Sequence, residues 1–257
     1  MSRPALPQSL AATPRLDRWV RFDPERTVTV CSGKVEIGQG IRTAVAQIAA
    51  DELDVDIERI IVIDGDTTRS PDEGYTSGSQ SIEFGGMSVR QACAEVRALF
   101  LDEAARSFEV STTELRVRDG GIHVAGTDLA TSYWDLAARV DLARDATGAV
   151  PAEVRDFLCA MPAERTIVGS KGEPPTTGVA KRIAASYSKP YLAHASIGPS
   201  CALARLEQGR FTIWSHTQGS HHLRNQVARA LGVAAADVDV IHTDGAGCYG
   251  HNGADDV

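Results

Sequence analysis

The order of apolar and polar positions divides the chain into short strands and amphipathic helices. β-Branched residues dominate 27–32 (TVTVCS), which predicts a strand, and a glycine-rich turn follows at 33–40. Ile41, Val45, Ile48, Ala49 and Leu53 recur at helical spacing, so 41–53 reads as an amphipathic helix. Residues 60–63 predict a short buried strand that runs into Asp64-Gly65-Asp66. A long polar stretch, 67–86, separates this strand from a strong helix whose apolar face is Val89, Ala92, Cys93, Val96, Leu99 and Phe100. Loops of that length are uncommon in compact domains and are usually functional or disordered. Asp119-Gly120-Gly121 predicts a hairpin over 115–124. Ser132 and Asp135 fit a capping box ahead of a short helix.

Residues 141–150 are small and polar and precede Pro151, so the boundary between two segments, 1–150 and 151–257, is placed here. The second segment predicts a helix at 151–161, a strand at 166–169 and a loop at 172–178. A hairpin over 200–215 follows, turning at Glu207-Gln208-Gly209. Leu223, Val227 and Leu231 mark a helix, and 238–242 a strand that runs into GAGCYGHNG. The first 18 residues, with Pro4, Pro7 and Pro14, read as an extended arm. The fold class is α+β, with helices packed on mixed sheets.

The two halves share an order of parts. A strand, a Gln-Gly pair (Gln39-Gly40; Gln218-Gly219), a helix, Leu-x-Val, an acidic turn, a strand and an Asp-Gly turn occur in both. A repeated supersecondary unit is the simple reading. It places a glutamine at the mouth of a helix twice. Free backbone N–H groups and the positive dipole end gather there, and glycine lets a ligand approach. Such a site suits an oxygen-rich or anionic ligand.

Composition narrows the partners. The chain has 257 residues, 43% of them hydrophobic, enough for a sizeable core. A net charge of −8 argues against broad binding to a nucleic-acid backbone. No apolar run is long enough to cross a membrane and the N-terminus lacks a signal-peptide pattern, so a cytoplasmic location is expected. Cys31, Cys93, Cys159, Cys201 and Cys248 are widely spaced with no CxxC, as expected of buried small hydrophobes; Cys248 stands apart in its glycine surroundings. The histidines lack ligand spacing, so no metal held by protein side chains alone is expected, and His221-His222 reads as a solvated helix start. There is no GxSxG elbow.

Two loops carry candidate chemistry. The stretch 73–86 (EGYTSGSQSIEFGG) offers Thr76, Ser77, Ser79 and Ser81 among glycines, a good phosphate cradle, but no lysine, so it is not a Walker A loop. The stretch 245–253 (GAGCYGHNG) follows a strand without a βαβ continuation, so its glycine pattern alone is weak evidence.

Taken together, GKVEIGQG, DEGYTSGSQSIE, PYLAHASIGPSCA, WSHTQG and GAGCYGHNGADD resemble the large, molybdenum-binding subunit of the xanthine oxidase family. The chain looks most like the bacterial isoquinoline 1-oxidoreductase and nicotinate dehydrogenase type. The resemblance implies a partial cofactor-binding domain of the aldehyde oxidase/xanthine dehydrogenase type. It implies molybdenum held by the dithiolene of a molybdopterin, in bacterial members usually the cytosine dinucleotide form. By motif, Gln218 would hydrogen-bond an oxo group on the metal, with Tyr249 and Gly250 beside it. Gly38, Gln39 and Gly40 would contact the pterin. Thr76, Ser77, Gly78, Ser79, Gln80 and Ser81 would hold the pyrophosphate, and Gly247 and Cys248 would lie near the metal. Family chemistry hydroxylates an N-heterocyclic or aldehyde carbon with water as oxygen source and passes electrons to a [2Fe-2S] subunit.

Family members are far longer. A further region is expected between Val150 and Pro151, and the family continues beyond the point matched by Val257 with the glutamate that serves as general base. Nothing marks Glu36, Glu73 or Glu83 as that base. The expectation is therefore an oxidoreductase component working with the [2Fe-2S] small subunit or a chain that carries the missing part. The alternative is a non-catalytic truncated remnant or partner-binding module.

Overall fold

The computed structural model describes residues 6–150 and 201–245. The N-terminal arm is not extended as expected. Gln8–Ala12 forms a short helix, α1, and Leu10 and Leu16 are fully buried, so the arm is part of the core. Burial of two leucines outweighs the local proline preference for extended chain.

Val20–Phe22 (β1) runs antiparallel to Val28–Ser32 (β2), and β2 runs parallel to Ile60–Asp64 (β3). The chain crosses from β2 to β3 through α2, Ile41–Leu53, which spans the residues its apolar spacing marks. The polar stretch after β3 is a loop only as far as residue 80. Ser81–Gly86 is a π-helical turn that feeds directly into α3, Met87–Phe108, so the Ser/Gly motif ends inside a helix start. Leu115–Arg118 (β4), Gly121–Val124 (β5) and Ala130–Ser132 (β6) make an antiparallel meander. Asp119 and Gly120 both take positive φ at its first turn, as the sequence there requires. Ser132 then caps the short helix α4, Tyr133–Leu136, by accepting from the Asp135 N–H.

The main core lies between the first sheet, α2 and α3. Phe22, Phe100 and Tyr133 pack ring to ring at 4.6–5.2 Å, and the Tyr133 hydroxyl donates to the Leu53 carbonyl at 2.9 Å. Burial pushes the Tyr133 phenol and the Cys93 thiol up, beyond the range in which either ionises at neutral pH. Cys31 is likewise buried, but Cys201 is exposed, against the expectation for the cysteines.

The second unit repeats the first. Ala202–Glu207 (β7) is antiparallel to Arg210–Ser215 (β8), and β8 is parallel to Val238–His242 (β9). Helix α5, Ser220–Leu231, makes the crossover. Equivalent bonds close the two units: Gly65 N–H to the Ser32 carbonyl at 2.9 Å, and Thr243 N–H to the Ser215 carbonyl at 3.0 Å. The internal repeat is therefore structural. Residues 151–161, 166–169 and 172–178, for which a helix, a strand and a loop are expected, lie outside the described residues.

The units are stitched at one turn. Thr67 N–H donates to the Val240 carbonyl at 3.0 Å, Val240 N–H to Thr67 Oγ1 at 2.9 Å, and His242 N–H to the Gly65 carbonyl at 3.2 Å. Gly65 has φ +61°, and a Cβ there would lie 2.4 Å from Val35 and 2.8 Å from His242. Gly65→Ala is therefore expected to destabilise the chain by about 2–4 kcal/mol, from backbone strain plus overpacking. Urea denaturation of the two proteins measures this; a loss below about 0.5 kcal/mol would contradict the crowding.

Candidate functional site

The motifs far apart in sequence meet where β2, β3 and β8 end. Segment 32–35 is laced to segment 73–76. Glu73 accepts from Ser32 Oγ at 2.9 Å and from the Gly33 N–H at 2.8 Å. Lys34 Nζ donates to the carbonyls of Glu73 and Tyr75 at 2.7 and 2.9 Å, and Val35 N–H donates to Thr76 Oγ1 at 2.9 Å. Burial lowers the Lys34 pKa, while the neighbouring Glu73 and Asp72 work the other way. Gln218 then joins this lattice: its Nε2 donates to the Thr76 carbonyl at 2.8 Å, and Thr76 N–H donates to the Gln218 carbonyl at 2.9 Å. Behind it, the Tyr75 ring lies where a side chain on Gly219 would be, 2.7 Å from a built Cβ.

The first Gln-Gly loop differs from the expectation of an open helix N-terminus. Glu36 Oε1 accepts from the N–H groups of Gly38 and Gly40 at 2.8 and 2.9 Å, and Oε2 from Arg42 N–H at 3.2 Å. The protein's own carboxylate thus occupies the anion position at the start of α2. Burial alone would raise the Glu36 pKa; the three backbone bonds and the Arg42 charge outweigh it and hold this carboxyl below the usual range. Gln39 is also committed within the loop, accepting from Ile37 N–H at 2.7 Å and donating to the Val35 carbonyl at 2.9 Å. It shapes the loop rather than reaching outward.

What the loop does present is backbone. Gly38, Gln39 and Gly40 are exposed, and a Cβ on either glycine would meet nothing within 4 Å. Gln39, Gly40, Ile41 and Ala44 form one wall of a cleft of about 220 Å³, and Ser79, Ser81 and Ile82 form the other. The structure thus brings together the Gln-Gly loop and the Ser/Gly loop. Thr76 is buried beneath, while Ser77, Gly78 and Gln80 are exposed on the same loop without lining the cleft. Ser79 holds positive φ (57°), which turns the loop tip. Gly247, Cys248, Tyr249 and Gly250 lie outside the described residues.

Three residues here were not singled out from the sequence, Lys34, Arg42 and His242, and Glu73 was considered only as a general base. Lys34 and Glu73 lie inside the motifs, and a lysine between two glycine-rich turns was the available signal. Arg42 bonds Asp64 at 3.2 Å and Asp244 at 2.9 Å, tying α2 to the segment that leads into the last glycine-rich loop. The Asp244 bond raises the Arg42 pKa most, and Arg42 in turn lowers that of Asp244. Of the pair at the start of α5, His222 is solvated as expected and His221 is not. His221 is buried with Nε2 3.2 Å from the Ser70 carbonyl, and burial lowers its pKa, while the ring of exposed His222 lies tilted against Tyr75 at 4.6 Å.

Comparison with known proteins decides the family. Residues 7–180 match a molybdopterin cofactor-binding domain, and residues 165–255 match a second molybdopterin cofactor-binding domain. The chain belongs to this family. It is a member of the xanthine oxidase group of molybdenum enzymes, over part of their length. It is 25% identical to a nicotinate dehydrogenase subunit of Pseudomonas putida over 378 aligned positions, covering 99% of this chain and 32% of the relative. It is 33% identical to the nicotine 6-hydroxylase large subunit of Paenarthrobacter nicotinovorans over 45% of this chain and 15% of the relative. The quinoline 2-oxidoreductase of Pseudomonas putida 86 superposes with a TM-score of 0.42 at 26% identity, covering 49% of this chain and 18% of that one. The chain spans about a third or less of the curated relatives it matches. With 378 aligned positions against 257 residues, more than a hundred positions of the nicotinate dehydrogenase chain have no counterpart within this member of the family. No helix among the described residues is long and apolar enough to cross a membrane.

Glu36 is expected to make this chain acid-sensitive in a defined window. A carboxyl whose pKa is depressed on folding stabilises the fold above its unfolded value, about 4.3, and that contribution is lost as pH falls through the lower, folded value. Stability measured by urea denaturation between about pH 2.5 and about pH 6 should therefore decline on the acid side, and Glu36→Gln should flatten part of that decline. Identical pH profiles for the two proteins would contradict the carboxylate's role.

Proposed function

We propose that this chain supplies the pterin-binding part of a molybdenum hydroxylase. That enzyme would oxidise an N-heterocyclic or aldehyde carbon with water as oxygen source and pass electrons to a [2Fe-2S] partner subunit. The observation that carries the reading is the cleft between the Gln-Gly and Ser/Gly loops. Its lining residues offer two hydroxyls, a bare glycine and apolar carbon, and no carboxylate. A flat, polar, oxygen-rich group with an anionic tail fits such walls.

When bound, a molybdopterin supplies a metal that takes up two electrons from the substrate carbon. The protein's share is to bind and orient. Gly38, Gln39 and Gly40 would lie against the pterin, where the absence of side chains allows close approach. Ser79 and Ser81, with Thr76, Ser77, Gly78 and Gln80 in the same loop, would hold the pyrophosphate of a cytosine dinucleotide form. Gln218, fixed by its paired bonds to Thr76, would direct its amide toward the metal centre, with Gly247, Cys248, Tyr249 and Gly250 completing that side. Both oxygens of Glu36 are committed to backbone donors, while Glu73 binds Ser32 and Gly33 through Oε2 alone and its Oε1 is buried without a partner among the described residues, so nothing marks either as the general base, which this reading assigns to a residue supplied from elsewhere.

The shortened alignment favours a second reading, a non-catalytic module of the same family that binds a partner. One experiment separates the two. The chain is co-expressed with its [2Fe-2S] subunit and a chain carrying the remaining cofactor domain, and molybdenum and released cytidine nucleotide are measured. The first reading expects close to one metal per chain; no metal in the assembly would leave the second. In the loaded assembly Gln218→Ala should lower metal content or turnover by about 10–100-fold. Its cost in stability, from the lost Thr76 bond, should be about 1 kcal/mol.

A further inference from the structure

His242 ends β9 and is buried between the two Gln-Gly turns. Its Nδ1 lies 3.1 Å from the Thr217 carbonyl, one residue before Gln218, and its Nε2 lies 2.9 Å from the Glu36 carbonyl, at the base of the first loop. Both partners are carbonyl oxygens, which only accept. A neutral imidazole has one N–H and can satisfy one of them; the other nitrogen then sets a lone pair against a carbonyl lone pair. Only the doubly protonated ring donates at both ends.

We propose that His242 is a positioning residue whose imidazolium form ties the Thr217–Gly219 turn to the Glu36–Gly40 loop, so that the alignment of the two turns depends on a proton held by this ring. Its bearing on the cofactor rests on the reading given under Proposed function; the tie itself does not. The charged and titratable groups on the elements around the ring are Glu36 in the first loop, Arg42 on α2, Asp64 at the end of β3 and Asp66 in the stitching turn. Asp244 follows β9, His216 precedes the second turn and His221 lies on α5. Most are already engaged. Glu36 bonds three backbone N–H groups, Arg42 joins Asp64 to Asp244, Asp66 bonds Thr68, and His216 and His221 approach the carbonyls of Cys201 and Ser70.

The sign follows. The tie is complete while the ring is doubly protonated and loses one bond as pH rises through the ring's titration. Glu36 cannot mimic this, because its carboxylate titrates far on the acid side. The test is NMR on the full chain without cofactor, from about pH 5.5 to about pH 8.5. The ring nitrogen shifts of His242 are followed together with amide exchange at Gly38, Gly40 and Gly219, corrected for base catalysis. The expected result is two protonated nitrogens at the acid end and an exchange rate at these glycines that rises about fivefold with the same midpoint, the worth of one hydrogen bond. His242→Gln should abolish the step and His216→Gln should keep it. A singly protonated ring throughout, or glycine exchange that ignores the ring's titration, overturns the proposal. Because no cofactor is present, that failure is distinct from a failure to bind molybdenum.

Discussion

Everything near the cleft hangs on the backbone and hydroxyl of Thr76. This buried residue accepts from Val35, pairs both its N–H and its carbonyl with Gln218, and so joins three stretches separated by 41 and 142 positions in sequence. Inside a protein a satisfied polar network is rigid and an unsatisfied one is expensive, so these segments are held together more strictly than apolar contact would hold them. Beneath, the Lys34 ammonium donates to the carbonyls of Glu73 and Tyr75, and the Glu73 carboxylate binds Ser32 and Gly33. The result is a fixed base under an exposed loop tip at 77–80. A ligand that meets the tip meets a surface whose anchor does not move.

The repeat makes two similar frames and then uses them differently. In both, a glycine caps a helix and a glutamine precedes it. In the first unit the glutamine turns inward to its own loop, and Glu36 fills the helix start. In the second, no carboxylate among the described residues is bonded there; the Gly219 N–H meets the Thr217 hydroxyl at 3.2 Å, and Gln218 reaches across to another segment. The same topology therefore offers a bare glycine wall on one side and an amide on the other. That asymmetry suits a ligand whose two ends differ.

The elements were largely legible in the sequence. α2 coincides with the helical spacing of 41–53, the hairpin turns at Gly120 and Gly209 carry the positive φ their residues invite, and the Gln-Gly repeat proved to be a topological repeat. Local chemistry decides such features, and local chemistry is written in adjacent residues. What could not be read was long-range. The N-terminal arm folds inward because Leu10 and Leu16 find a cavity made by residues far along the chain. The two glutamines look alike in sequence and differ only in which distant carbonyl is near. The helix start at Gly40 reads as an open anion site, yet an acidic residue four positions earlier closes it. In the described part of the site, the sequence located the loops but not the bonds that orient them.

The size of the second unit explains why the stitching turn matters so much. Its buried apolar core among the described residues is small: Ile213, Ala228, Val238 and Val240. Every residue of β7 is exposed, and Leu203, Trp214 and Ile241 align across the three strands on the face away from α5. Such a sheet is stable only while something supplies the free energy that its own packing lacks. Among the described residues, one such support is the 65–67 turn, whose bonds to Val240 and His242 tie β9 to the first unit. The bonds that stabilise the second unit are therefore the same ones that set its glutamine turn against the cleft, and loosening one loosens the other.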